Sequence, residues 1–499
     1  MNARITTDPI EGSQAKNSPE AARTSFVHSE DRGLHKGLKN RQIQMIAIGG
    51  AIGTGLFMGA GGRLAAAGPS LAIVYALCGF FVFLILRALG ELVVYRPSSG
   101  SFVSYAREFF GEKTAFAVGW MYWLAWAMAA IADVTAAAIY ANFFKRYIPA
   151  IADIPQWVFA LVALVLILTL NLLSVKVFGE LEFWFALIKV AALVAFLVIG
   201  ICFVLFGVPV AGEQAGFSII ADNGGWFPSG ALPALLLVGG VVFAYSGVEL
   251  IGTTAGETKD PQKVMPKAIN AVLVRIAVFY VGSVVLLSCL LPFTAYKAGE
   301  SPFVTFFGSI GVPGADSIMN MIVLTAALSS LNAGFYSTGR IVRSLAIAGS
   351  APKFAGRLTK SGVPYGGMFL TAGVALLGVG LNAVAPSDAF EIVLNVTAFC
   401  IVVAWAVIIM CQLRLWYWAR QGKVERPAFR MFGAPWTGIA TLLFLVGVVV
   451  LIAADYPTGT YIMATSLLLI PLLVLGWFLA RRNIRAVAEQ RSSSDDHSQ

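Results

Sequence analysis

Polar residues are sparse over most of this chain, and the apolar stretches between them reach helix length repeatedly. A helix needs about 20 apolar residues to cross roughly 30 Å of hydrocarbon. The pattern predicts about twelve such spans, near 43–66, 69–95, 114–144, 155–174, 183–207, 232–256, 269–293, 316–346, 366–385, 389–414, 433–454 and 458–480. In lipid, segments this long satisfy their backbone groups internally only as helices. The expected fold class is therefore an all-α polytopic membrane protein. Residues 40–485 form its body, and the polar ends, 1–39 and 486–499, are expected to be disordered tails. Nothing before Arg41 has the apolar core of a cleaved signal peptide.

Two spans are unusual. In "IAIGGAIGTGLFMGAGG", Gly49, Gly50, Gly53, Gly55 and Gly59 crowd one helix, and each glycine costs about 1 kcal/mol relative to alanine. Close helix packing explains this, because Gly49/Gly53 and Gly55/Gly59 have small-x-x-x-small spacing. A helix break near Ile52 to Leu56 explains it equally well. "LLLVGGVVFAYSGVELIGTTAGE" then repeats the pattern, with Gly239, Gly240, Ser246, Gly247 and Gly252 beside Glu249. Two glycine-interrupted spans at corresponding places in two halves point to a transporter binding site. They are spans one and six, and an offset of five inverts the second unit relative to the first. The prediction is a 5+5 inverted repeat, about 43–207 against 232–414, with helices 1 and 6 discontinuous and 433–480 added. A broken helix leaves N–H groups at one end and C=O groups at the other. The first suit a carboxylate and the second an ammonium, so facing breaks make a cradle for an amino acid.

Composition agrees. The 499 residues are 58% hydrophobic and 12% charged, with a mean hydropathy of +0.80, outside the range of soluble globules. The net charge of +9 comes from Lys and Arg in alternate connections. They lie before span one and after spans two, six, eight, ten and twelve, whereas the other loops hold little beyond Arg63, Lys145, Arg146 and Lys297. The positive-inside rule then puts both termini in the cytoplasm, and the charge carries no argument for nucleic acid. His28, His35 and His497 are the only histidines and lie in the tails, which removes histidine metal sites and Ser/His/Asp triads from the membrane body. No phosphate-binding loop is present; near Gly53 and Gly55 a dinucleotide fingerprint meets Met58 where its third glycine belongs. The five cysteines lie inside spans without paired spacing. Secondary transport is favoured over a channel or a membrane enzyme.

Several strings also resemble a known family. "GLKNRQIQMIAIGGAIGTGLFMGAG", "LRALGELVVYRPSSGSFVSYAREFFGEKTAFAVGWMYW", "ELEFWFALIKV", "GVELIGTTAGETKDPQKVMPKAI" and "LTAALSSLNAGFYSTGRIVRSLA" are similar to bacterial amino acid permeases of the amino acid, polyamine and organocation (APC) superfamily. "IADNGGWFP", "SPFVTFF" and "AADYPTGTY" are most like its L-asparagine permeases. The resemblance spans residues 35–485. It implies proton-coupled uptake of an amino acid at the bacterial cytoplasmic (inner) membrane, L-asparagine before others, with no organic cofactor. It further implies that Gly53, Thr54 and Gly55 hold the substrate carboxylate. The carbonyls of Ala51, Phe243 and Ser246 receive its ammonium, and Phe243 also forms an aromatic lid.

Three charges inside spans are candidates on their own account. Lys189 in "WFALIKVAAL" lies about seven residues, roughly 10 Å, inside span five. Its stem could snorkel to the surface, while the resemblance makes it the proton-coupling group. Glu249 follows the second break, where it either gates access, senses the ammonium or faces a vestibule. Asp133 in "AMAAIADVTAAA" could read the substrate side chain or pair with a lysine or hydroxyl. Asn332 in "SSLNAGF", with Ser329 and Ser330 one turn earlier, could line the path or join helices. Arg87 and Glu91, four apart, are expected to form an intrahelical ion pair, and Trp120, Tyr122, Trp123 and Trp126 an interfacial belt. The alternatives are an alanine, serine or glycine permease of the same family and a substrate-gated channel or nutrient sensor.

Overall fold

The computed structural model describes residues 41–42, 45, 52–255, 260–384, 388–456 and 458–496. The first segment to be built is the glycine-rich one. It contains a four-residue helix, α1 (Thr54–Phe57), followed after Met58 by α2 (Gly59–Ala67). Gly68, at φ 62°, turns the chain into α3 (Leu71–Tyr95). Then come α4 (Ser101–Phe110), α5 (Glu112–Asn142), α6 (Gln156–Leu173) and α7 (Val175–Phe206). A short antiparallel pair, β1 (Pro209–Val210) and β2 (Glu213–Gln214), leads to α8 (Phe217–Asp222).

The second glycine-rich span is in three pieces: α9 (Ala231–Leu236), α10 (Val238–Ala244) and α11 (Leu250–Thr253). Gly247 between the last two has φ 96°, a conformation that side chains disfavour. After α12 (Pro261–Leu290), with a π-helical stretch Ile276–Gly282, follow α13 (Pro302–Ser309), α14 (Ala315–Ile347), α15 (Tyr365–Val384), α16 (Asp388–Arg420), α17 (Trp436–Ala454) and α18 (Thr458–Asp496). The last helix continues into the segment expected as a tail.

Among the described residues nine helices are long and apolar enough to cross a membrane, and Ala231–Ala244 and Tyr365–Gly380 are shorter apolar ones. One of the nine, Thr54–Tyr95, holds the described parts of two expected spans. The core sits around α5, which packs most extensively on α14, α15 and α16. By contrast α6, α7, α17 and α18 leave large apolar side chains such as Val165, Val198, Val446 and Leu472 exposed, as a face toward lipid requires.

Arg87 and Glu91 depart from expectation. Glu91 is fully buried and accepts from Arg426 Nε at 2.5 Å and Nη2 at 3.1 Å, Gln412 Nε2 at 3.0 Å and the Met431 N–H at 2.7 Å. Arg87 instead donates to Asn270 and the Arg430 carbonyl and stacks on Phe429. The loop after α16 supplies a bidentate arginine and a backbone N–H to Glu91. Arg63 is also not a loop residue. It lies in α2, 7% exposed, with Nη1 donating to the Gly55 carbonyl at 3.3 Å.

Candidate functional site

The two breaks meet. A Cβ on Gly55 would lie 2.4 Å from the Cα of Ala244, so only glycine allows α1 and α10 to cross this closely. Both readings of the glycine pattern therefore apply to one residue: it sits in a break and it makes a close crossing. Gly53 caps α1 with extended backbone and faces Ser330, whose Oγ would be 3.5 Å from a Cβ there. Ala51 lies outside the described residues.

Thr54 reaches α5. Its hydroxyl donates to Asp133 Oδ1 of α5 at 2.9 Å, and both side chains are sealed from solvent. Asp133 Oδ2 has no hydrogen-bond partner among the described residues, so an unused acceptor stands beside the first break. That placement brings Thr54 and Asp133 together and agrees with the hydroxyl alternative weighed for Asp133.

Lys189 does not snorkel. It is 1% exposed, and Nζ donates to Ser329 Oγ of α14 at 2.9 Å. That hydroxyl donates to Glu182 Oε1 at 2.7 Å, while Asn332 Nδ2 donates to Oε2 at 3.1 Å. Asn171 Nδ2 of α6 donates to Asn332 Oδ1 at 2.6 Å and to its carbonyl at 3.2 Å. Glu182 is 0% exposed. A buried cation and a buried carboxylate thus share one hydroxyl across α7 and α14, and each offsets part of the other's desolvation. Asn332 joins helices; the carboxylate it serves is the charged group that sequence reasoning missed. The signal was present, because Glu182 lies seven residues before Lys189 in "ELEFWFALIKV", two turns along one helix face.

At the second break Phe243 is buried and Ser246 half-buried; the Ser246 N–H donates to the Phe243 carbonyl at 2.9 Å. A carbonyl keeps a second lone pair beyond that bond. Glu249, 0% exposed, accepts from Tyr122 Oη at 3.0 Å, Trp405 Nε1 at 3.2 Å and the Gly247 N–H at 3.3 Å. It is held in the protein, not in an open vestibule. Tyr122 therefore leaves the expected interfacial belt, as does buried Trp126, whereas Trp120 and Trp123 are half-buried and bond the Ser350 carbonyl and Thr371. The π-helical stretch in α12 places Tyr280 so that its hydroxyl donates to the Ala244 carbonyl at 3.3 Å. Tyr75 and Tyr245 pack against it, with ring centroids 6.0 and 4.6 Å away. Such bulges recur at functional sites.

Among the described residues no group of three or more His, Cys, Asp or Glu could hold a metal ion. What the geometry assembles is a multi-pass membrane protein with two touching helix breaks, buried Thr54 and Asp133 paired at the first and buried Glu249 at the second, the construction expected of a solute carrier. Comparison with known proteins agrees. Residues 42–489 match the amino acid permease family, and the chain belongs to that family. It is 61% identical to L-asparagine permease 1 of Mycobacterium tuberculosis over 462 residues, 93% of this chain and 94% of that protein. It is 57% identical to the L-asparagine permease of Salmonella typhimurium and 56% identical to that of Escherichia coli. Each of these two matches runs over 467 residues, 94% of this chain and 93% of the relative. The chain is thus a multi-pass bacterial membrane protein of amino acid transport and not an enzyme.

Proposed function

We propose that this permease is a proton-coupled symporter that takes up L-asparagine across the cytoplasmic membrane. Its body is a twelve-helix, inverted-repeat one of about 43–207 and 232–414 with 433–480 added, and both termini are cytoplasmic. The observation that carries the coupling is the Lys189–Ser329–Glu182 cluster, beside the Thr54–Asp133 pair of the first break. The N–H groups of Gly53, Thr54 and Gly55 hold the substrate carboxylate. The carbonyls of Ala51, Phe243 and Ser246 take its ammonium, and Phe243 covers it.

Lys189 carries the coupled proton. A negative substrate carboxylate beside α1 favours the charged ammonium, and the charged ammonium favours the carboxylate. Reciprocity of this kind, with coupling of about 1–3 kcal/mol, is what symport requires. Glu182 keeps the charged lysine compensated where both side chains are buried. Asp133, with its free Oδ2, accepts from the amide of an asparagine side chain. Asn332 orients Glu182, and Glu249 fixes the second break through Tyr122 and Trp405. The names of the relatives favour L-asparagine over alanine, serine or glycine.

The test is uptake of labelled L-asparagine by proteoliposomes without sodium, with and without an inward proton gradient. Accumulation above equilibrium only with the gradient is expected. Equilibration alone would make the protein a channel, and entry of alanine or glycine in place of asparagine would overturn the substrate.

A further inference from the structure

One described groove lies away from the transport site. A space of about 570 Å³ opens between α5 and α18, walled by Phe116, Trp120, Trp123, Leu469, Leu473 and Leu479. Its floor is Gly349–Pro352, the connection that leaves α14, and Trp120 Nε1 ties that floor to α5 by donating to the Ser350 carbonyl at 3.1 Å. Ser350 itself lines the groove; its Oγ is buried with no hydrogen-bond partner among the described residues, in a residue 3% exposed.

A second cavity of about 400 Å³ adjoins it, sharing Phe116 and Leu473, and is lined by Lys113, Arg481 and Arg485. No carboxylate lines either one. The pair therefore has an apolar slot at one end, a lone hydroxyl within it and three cations at the other. A soluble anion leaves the slot empty and a hydrocarbon leaves the cations bare, so the shape asks for an amphiphile with a negative head.

We propose that these joined cavities are a binding site for an anionic phospholipid. One acyl chain lies between α5 and α18, the phosphate among Lys113, Arg481 and Arg485, and Ser350 donates to an ester oxygen. Basic pockets between membrane helices recognise lipid headgroups in this way. The site also has reach. Its walls are the helix that carries Tyr122 and Asp133 and the loop that ends the helix carrying Ser329 and Asn332. A seated lipid braces those two helices against each other.

Native mass spectrometry of the purified full-length protein, titrated with phosphatidylglycerol or phosphatidylcholine, tests this. Each cation is worth about fivefold in affinity near an anionic headgroup, so phosphatidylglycerol should bind roughly 100-fold more tightly than phosphatidylcholine. Lys113→Gln and Arg485→Gln should each remove about fivefold of that preference, and the triple change with Arg481→Gln nearly all of it. Ala480→Phe fills the slot and leaves the cations, and should weaken both lipids. Equal binding of the two lipids by the native chain would overturn the proposal, as would a preference that survives the triple change. Competition by inorganic phosphate at lipid-like concentrations, or binding unaffected by Ala480→Phe, would make it a phosphate site only and overturn it equally.

Discussion

The shared hydroxyl of Ser329 makes a quantitative claim about Lys189 and Glu182. Opposite unit charges about 5 Å apart at an effective dielectric of about 20 attract by about 3 kcal/mol. Removing one partner of a buried pair costs about 3–5 kcal/mol, since it strands the other charge, whereas replacing both by neutral groups of similar volume is often nearly free. Lys189→Met leaves Glu182 with Ser329 and Asn332 as its donors but no cation. Glu182→Gln keeps the hydrogen bond from the ammonium to Ser329 but removes the carboxylate that compensates its charge. Each single change should therefore destabilise the protein by about 3–5 kcal/mol, and the double change by about 1–2 kcal/mol or less. The interaction energy from the cycle should be several kcal/mol in favour of the double variant.

Thermal inactivation in detergent measures the stability side, and proteoliposome uptake measures the other. Stability should return in the double variant while accumulation does not, because the proposed proton carrier is still missing. Additive losses would refute the pair. A double variant that concentrates asparagine under a proton gradient as the native chain does would refute the assignment of Lys189.

Further substitutions at Gly55, Gly53, Thr54 and Glu91 separate the roles of these positions. Gly55→Ala puts a Cβ 2.4 Å from the Ala244 backbone. Uptake should fall more than tenfold with a loss of about 1–3 kcal/mol in stability, whereas Gly53→Ala meets only ordinary contact with Ser330 and should fold normally in the same melting assay. Thr54→Val removes the hydroxyl that donates to Asp133, a loss of about 1–3 kcal/mol that should appear as roughly a tenfold or larger rise in apparent KM; Thr54→Ser should stay near native, and native affinity in the valine variant would refute the role. Glu91→Gln weakens the bonds to Arg426, Gln412 and Met431. It should cost about 3–5 kcal/mol of stability while KM measured on the surviving folded protein stays unchanged.

Much of this was legible in the residues. Glycine density marked both breaks, because the cost of glycine in a helix is local and needs no partner to be seen. Lys189, Asp133 and Glu249 stood out because charge inside an apolar run is expensive wherever it lies. What could not be read was pairing. Glu91 takes Arg426, more than three hundred residues away, over Arg87 one turn away, and a chain read linearly favours the local partner. Arg63 looked like a loop cation because the turn that ends its helix comes only at Gly68. Tyr122 looked interfacial because its reach to Glu249 depends on how α5 crosses the second break. Glu182 was overlooked beside the other acidic residue of the same motif, Glu180, which is half exposed and bonds Arg41.

The four residues of α1 connect these parts. On one side Gly55 touches Ala244 of the second break; on the other Thr54 bonds Asp133 of α5, and Gly53 abuts Ser330, the neighbour of the serine that bonds Lys189. A helix of this length has too few internal hydrogen bonds to be stable alone, so its position is set by what surrounds it. Under the proposed mechanism, a substrate bound to its N–H groups and a proton that changes the charge beside Ser329 would therefore act on the same short segment. Coupling between them would then need no long pathway: each ligand would bias the placement of α1, and the placement that suits one would be available to the other.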